Sequence, residues 1–134
     1  MLKAAIMCLA LNIYYEARSE ALVGQRAVAA VTLNRVIHEE FPDTICEVVY
    51  QKTPVCQFSW NCNDKENIPK EMRVWKLIQK RSKRFITKYH KRKMKDPTDG
   101  ALFYHAHYID PNWSIRYVKT KKIGAHIFYK ISQD

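Results

Sequence analysis

Apolar side chains recur at Leu2, Ile6, Leu9, Ile13 and Ala17, the spacing of one helical face, and predict a helix over 2–17. A second helix is predicted over 24–38, where Val28, Val31 and Val36 alternate with small alanines that let another helix pack close. Pro42-Asp43-Thr44 reads as a turn, with Asp43 or Thr44 capping a short helix over 45–51. Residues 52–68 carry prolines and Asn/Asp clusters and read as loop around one short extended piece, 57–60. Pro69 opens a long helix reaching about residue 93, whose stripe of Met72, Trp75, Ile78, Phe85 and Tyr89 places Trp75 in the core. After the strong turn Asp96-Pro97-Thr98-Asp99-Gly100, the segments 101–106, 115–119 and 125–131 are short aromatic or β-branched runs suited to a small antiparallel sheet. Helices first and strands last give an α+β fold.

At 134 residues the chain is expected to form one domain, 1–134, large enough to bury a real core. No apolar run reaches the roughly 18 residues that a membrane span needs. The first eleven residues mimic a secretory leader, yet they run straight into the segment around Glu16, which cleavage would cut away, so no leader is expected. Net charge is +10, and between Lys70 and Lys95 twelve basic residues face one acid, Glu71. Such a run is either a solvated helix face or a surface for polyanions, nucleic acid and anionic lipid included. Of the four cysteines, Cys8 lies on an apolar helical face and reads as a buried free thiol. Cys56 and Cys62 are spaced to close a small disulfide loop, with Cys46 as a third candidate and the pairing open. A zinc site from Cys56, Cys62, His105 and His107 is disfavoured, because this cysteine spacing is wider than zinc motifs use; no metal is expected.

The chemistry concentrates at Ala10-Leu11-Asn12-Ile13-Tyr14-Tyr15-Glu16, where a carboxylate follows an apolar, aromatic helical run. Loss of hydration against such neighbours disfavours the charged form and keeps a proton available near neutral pH, as a general acid requires. The plainer alternative is a surface carboxylate paired with Arg18. Bond cleavage by a pair of carboxylates needs a second one across the bond. Glu20, one turn further if the helix persists, would lie beside Glu16 and act on its proton affinity or bind an arginine. Asp64, Glu66, Asp99 and Asp110 fall in loops. In an extended strand Gln57 and Ser59 share the face opposite Phe58 and Trp60, to hydrogen-bond a ligand or to tie down the loop. Trp113 stands as a stacking platform or a core plug, and Asn34 and Arg35 as residues that fix the Glu16 segment.

Tyr14-Tyr15-Glu16-Ala17-Arg18-Ser19-Glu20 resembles the Y-[FY]-E-A-R-G-E signature of the cell wall hydrolase family that includes the spore cortex-lytic enzymes. The resemblance continues in register through Gly24-Gln25-Arg26-Ala27, Val31-Thr32-Leu33-Asn34-Arg35, Cys56-Gln57-Phe58-Ser59-Trp60, Phe103-Tyr104-His105-Ala106, Pro111-Asn112-Trp113 and Gly124-Ala125-His126-Ile127-Phe128-Tyr129. It implies a single lysozyme-like domain, helices first, then a long basic helix and a small sheet. It further implies a peptidoglycan-degrading enzyme acting between N-acetylmuramic acid and N-acetylglucosamine, with Glu16 catalytic. Glu20, Gln57, Ser59, Tyr104, His105, Trp113 and His126 are implied to line the glycan groove, although a lone histidine is as readily structural. Because family members act as lytic transglycosylases, one glutamate suffices and no cofactor is called for; a hydrolytic muramidase is the nearest alternative. Relatives carry a C-Q-F-S-[FW]-x-C pattern like that of Cys56 to Cys62. Ser19 stands where they carry glycine, which would cost on the order of 1 kcal/mol if the position needs positive φ. The resemblance implies action on peptidoglycan glycan strands at the bacterial wall, and a monomer is expected; the charge surplus offers the basic helix to anionic wall polymers or outer-leaflet phosphates, and without an export signal such an enzyme is expected to be made in the host cytoplasm and released as a phage lysin is. A basic nucleic-acid-binding module is the rival from another class, and it leaves the Glu16 motif unexplained.

Overall fold

The computed structural model describes residues 2–52, 56–62 and 67–132. Four helices precede a three-stranded sheet: α1 Leu2–Ala17, α2 Leu22–Val36, α3 Ile45–Val49, α4 Met72–His90, β1 Phe103–Ala106, β2 Val118–Ile123 and β3 His126–Lys130. The α+β expectation is met, and no described helix is long and apolar enough to cross a membrane.

Helix boundaries move where side chains from elsewhere intervene. The helix expected to open at Pro69 starts at Met72, because the Tyr14 hydroxyl accepts the N–H groups of Lys70 (3.2 Å) and Glu71 (3.0 Å) and anchors the approach to it. Its end has no glycine: Arg92 takes the left-handed conformation (φ 57°), and the N–H groups of Arg92 and Lys93 bond the carbonyls of Tyr89 (2.9 Å) and Lys88 (2.8 Å). The chain thereby doubles back along α4. At α3, Thr44 is the cap. Its Oγ1 accepts the Glu47 N–H at 3.2 Å and donates to the Glu47 carboxylate at 2.8 Å.

The sheet is antiparallel in the order β1-β3-β2, with Tyr104 opposite Phe128 and Ala106 opposite His126. The strand expected at 115–119 is displaced: Asn112–Arg116 forms a 3-10 turn, and the second strand falls on the lysine-rich Val118–Ile123. As an edge strand it needs no continuous apolar face, and lysines there discourage pairing with other chains. The extended piece expected at 57–60 also differs, since Ser59–Asn61 curls into a 3-10 turn directly after the extended Phe58.

One core joins Leu9, Ile13 and Tyr14 of α1 to Leu33 of α2, Val49 of α3 and Trp75, Ile78 and Phe85 of α4. Trp75 is buried as its stripe predicts, but Met72 at the helix entrance is 54% exposed, and Leu2 is exposed too. A smaller cluster of Ala27, Val31, Ala101 and Phe128 fastens α2 to the sheet. The free-thiol expectation for Cys8 is overturned: Cys8 is disulfide-bonded to Cys46, and Cys56 to Cys62. Helix α1 and helix α3 pack together, which brings into reach two thiols 38 residues apart.

Candidate active site

Asn12 and Glu16 are four residues apart on α1, so both side chains leave the same face of the helix. That face meets β1, where Tyr104 donates its hydroxyl to Glu16 Oε1 at 2.7 Å. Asn12 Oδ1 accepts the Trp60 Nε1–H at 2.8 Å. Trp60 in turn stacks on Tyr15, ring centres 5.1 Å apart. The carboxyl is thus framed by one turn of α1, one strand and the loop closed by Cys56–Cys62.

Arg35 lies behind this frame. It is 4% exposed, donates Nε–H to the Leu102 carbonyl at 2.8 Å and Nη1–H to Gln57 Oε1 at 3.3 Å, and sits over the rings of Phe41, Phe58 and Phe103 at 4.9, 5.2 and 5.5 Å. Three aromatic faces solvate a cation removed from water. Burial pulls its pKa down to about 10, which leaves it charged at neutral pH. Burial also holds the Glu16 carboxyl above the ordinary carboxylate range, outweighing the Tyr104 hydrogen bond and the Arg35 charge, which both pull it down. The Tyr104 phenol is pushed well above its usual value by burial and by the neighbouring carboxylate, so it stays a donor.

Glu20 does not continue the face of Glu16. Helix α1 ends at Ala17, the Glu20 N–H closes a turn on the Ala17 carbonyl at 3.0 Å, and the Glu20 carboxylate leaves for the β2-β3 hairpin. There it accepts the Ala125 N–H at 2.7 Å and lies 3.7 Å from His126 Nδ1. A side chain at Gly124 (φ 55°) would collide with that carboxylate. Ser19 has no left-handed backbone, so the missing glycine brings no strain. Arg18 pairs with Glu71 at 2.6 Å, which removes the reading of Glu16 as its partner.

The pleat of the sheet divides the other expected groove residues. Tyr104 and His126 face the helices; burial lowers the His126 pKa and favours the neutral ring, against the pull of Glu20. His105 and Trp113 lie on the opposite face with Tyr129: His105 Nε2 is 2.8 Å from the Tyr129 hydroxyl and the Trp113 ring meets His105 edge-on. Gln57 turns inward onto Arg35, while Ser59 is exposed on its turn. Asp99 is exposed and 3.6 Å from Lys130, Asp110 is exposed, and Asp64 and Glu66 lie outside the described residues. Both sulfurs of the Cys56–Cys62 pair are oxidised, which withdraws them from the zinc set considered with His105 and His107. Asn12 and the aromatic cage of Arg35 went unread in the sequence. The four-residue spacing from Glu16 marks Asn12, but the cage rings have no local signal.

A cleft of about 420 Å³ opens between the end of α1 and the approach to α4, lined by Tyr14, Tyr15, Arg18, Ile68, Lys70 and Glu71 among others; the Glu16 carboxyl itself is directed to Tyr104.

The cell wall hydrolase family profile matches residues 19–129. A spore cortex-lytic enzyme of Bacillus cereus is 31% identical over 133 residues, covering 93% of this chain and 44% of that protein. One from Oceanobacillus iheyensis is 32% identical over 133 residues, covering 93% and 41%. The chain therefore spans less than half the length of these curated relatives. In three dimensions it is similar to the catalytic domain of the germination-specific lytic transglycosylase SleB from Bacillus anthracis, at 31% identity and TM-score 0.67, covering 94% of this chain and 93% of that one. The SleB catalytic domain of Bacillus cereus matches at 30% identity and TM-score 0.63, covering 95% and 91%.

Proposed function

We propose that this chain, which belongs to the cell wall hydrolase family, cleaves the β-1,4 bond between N-acetylmuramic acid and N-acetylglucosamine in peptidoglycan as a lytic transglycosylase, with Glu16 as acid and then base. The observation that carries the reading is a carboxyl at the end of α1 whose proton affinity burial raises, with two groups, the Tyr104 hydroxyl and the Arg35 charge, ready to stabilise it once ionised. The similarity to a lytic transglycosylase catalytic domain over nearly the whole chain supports it.

In the first half-reaction Glu16 gives its proton to the glycosidic oxygen, the bond from that oxygen to C1 of the muramyl sugar breaks, and positive charge develops at C1. The Glu16 carboxylate, held by Tyr104 and faced by Arg35, is then the base. It takes the proton of the muramyl C6 hydroxyl as that oxygen bonds C1, closing a 1,6-anhydro ring and restoring the acid without consuming water. Such a cycle suits a carboxyl whose surroundings oppose one another, since neither protonation state is locked.

The glycan passes Glu16 on the side of the stacked Tyr15 and Trp60 rings, with the exposed Ser59 beside Trp60 on the same turn. Gln57 contributes through Arg35; Glu20 and His126 hold the hairpin that carries the sheet behind the site. Two disulfides support action outside the reducing cytoplasm, where peptidoglycan is found.

The experiment is Glu16→Gln on purified peptidoglycan with mass analysis of the released muropeptides. Turnover should fall by about 10²- to 10⁴-fold, the scale of one general acid-base group, and wild-type products should weigh one water less than their hydrolytic counterparts. Full activity of the amide variant overturns the role of Glu16; products of hydrolytic mass convert the reading to a muramidase.

A further inference from the structure

The face of α4 turned away from α1 carries Lys80, Arg81, Lys83, Arg84 and Lys88, with Lys91 just past its end, and none of them takes part in an ion pair among the described residues. Three separate segments shape this charge into a trough. Arg26 and Leu22 from the start of α2 form one wall, α4 the floor, and Lys93, Met94 and Lys95 the other wall, enclosing about 560 Å³. A second hollow of about 760 Å³ shares Arg81, Arg84, Lys88 and Lys93 with the first, so the concavity continues along the helix. No acidic residue lines either hollow.

This is not the pattern of a merely solvated helix. Lys80 and Arg84, Arg84 and Lys88 stand one turn apart, a like-charge spacing that weakens the helix with nothing acidic to relieve it. Arg81 is only partly exposed, its Nη1–H given to Gln25 Oε1 at 2.9 Å, which fixes its guanidinium at the meeting of both hollows. The second wall exists because Arg92 adopts a left-handed conformation without being glycine and returns Lys93 to Lys95 alongside the helix. Electrostatic repulsion and backbone strain are both accepted to bring cations together.

We propose that this trough binds a linear phosphodiester polymer of the cell wall, of the glycerol phosphate or ribitol phosphate class, and so holds the enzyme on its substrate meshwork. The choice of a wall polymer rests on the peptidoglycan-cleaving reading above; the choice of a flexible phosphate chain rests on the trough itself. A membrane surface would call for a continuous apolar stripe beside the cations; single half-exposed leucines, Leu22 and Leu77, edge the hollows, whereas Trp75, Ile78, Phe85 and Ile86 of α4 are turned into the core. Single-stranded nucleic acid would call for exposed aromatic platforms, and Phe85, the aromatic of the trough, is buried.

The test is binding of soluble poly(glycerol phosphate) to the full chain across a salt series, beside polyglutamate of matched charge, duplex DNA and anionic phospholipid vesicles. Poly(glycerol phosphate) should bind most tightly. The variant R84E/K88E/K93E should bind it at least about tenfold more weakly, with the slope of log K against log salt shallower by about 2, the loss of three counterion-releasing contacts. The neutral variant R84Q/K88Q/K93Q should show the same change in slope, and it replaces the charge-reversed one if that fails to fold. Unchanged affinity in the variants, equal affinity for polyglutamate, or tighter binding of DNA or vesicles overturns the proposal. Cleavage of polymer-stripped peptidoglycan by the wild type, measured alongside, reports on the catalytic reading separately, so either can fail alone.

Discussion

Glu16 is placed between opposed influences, and removing one should move its titration in a calculable direction. The Tyr104 hydrogen bond lowers the Glu16 pKa, so Tyr104→Phe raises it further. The alkaline limb of the pH profile of kcat/KM should then shift to higher pH, while kcat falls about tenfold because the carboxylate formed mid-reaction has lost a charge-assisted hydrogen bond. An unshifted limb would mean that another group sets it. The same burial has a stability consequence. A carboxyl whose folded pKa is raised favours the fold while protonated, below the unfolded pKa, and that contribution is lost as pH rises through the raised value. Glu16→Gln should therefore melt higher than wild type at pH 7, with the difference closing below about pH 4; thermal denaturation at both pH values checks this. The Glu16 segment stood out in sequence as a carboxylate at the end of an apolar, aromatic run, and its raised proton affinity agrees with that reading. Arg35 was not: Phe41, Phe58 and Phe103 reach it from three loops and strands, and its meaning as the charge facing Glu16 exists only after folding.

At the level of elements, the link between α1 and α2 and the hairpin between β2 and β3 meet at one carboxylate. Glu20 accepts the Ala125 N–H, and Gly124 and Gly24 both pack against its side chain. Gly124→Ala should cost at least about 1–2 kcal/mol, the penalty of a left-handed non-glycine residue, before the clash with Glu20 is counted. Chemical denaturation measures it, and a loss smaller than about 0.5 kcal/mol would show that the hairpin relaxes freely. Helical periods were readable because α1, α2 and α4 bury one another's apolar faces. Their ends were less so, since the Tyr14 hydroxyl delays α4 and Arg92 ends it with no glycine as a signal. The strand β2 escaped a reading by apolar alternation because an edge strand carrying Lys119, Lys121 and Lys122 shows little of it. At 57–60 alternation was present, yet the turn Ser59–Asn61 won, its Asn61 side chain donating to the Val49 carbonyl at 2.8 Å.

For the molecule as a whole, the two disulfides divide stability from activity. Cys8–Cys46 closes 38 residues and ties α1 to the start of α3, remote from Glu16, whereas Cys56–Cys62 spans six and encloses Gln57, Phe58 and Trp60, which touch Arg35, Tyr104 and Asn12. Chain entropy assigns the longer loop about 4 kcal/mol and the shorter about 2 kcal/mol. Replacing Cys8 and Cys46 by alanine should therefore give the larger fall in unfolding free energy while the folded protein keeps its rate on peptidoglycan. Replacing Cys56 and Cys62 should cost less stability but lower kcat about tenfold, because a group misplaced by even 1 Å at a reacting centre loses rate steeply. The spacing of Cys56 and Cys62 suggested their loop while leaving Cys46 as a rival partner, and Cys8 looked like a core thiol because nothing local says that α3 will lie against α1. If the Cys8/Cys46 variant loses activity while folded, or the Cys56/Cys62 variant keeps all of it, the loop does not shape the site, and Asn12 and Tyr104 must position Glu16 without it.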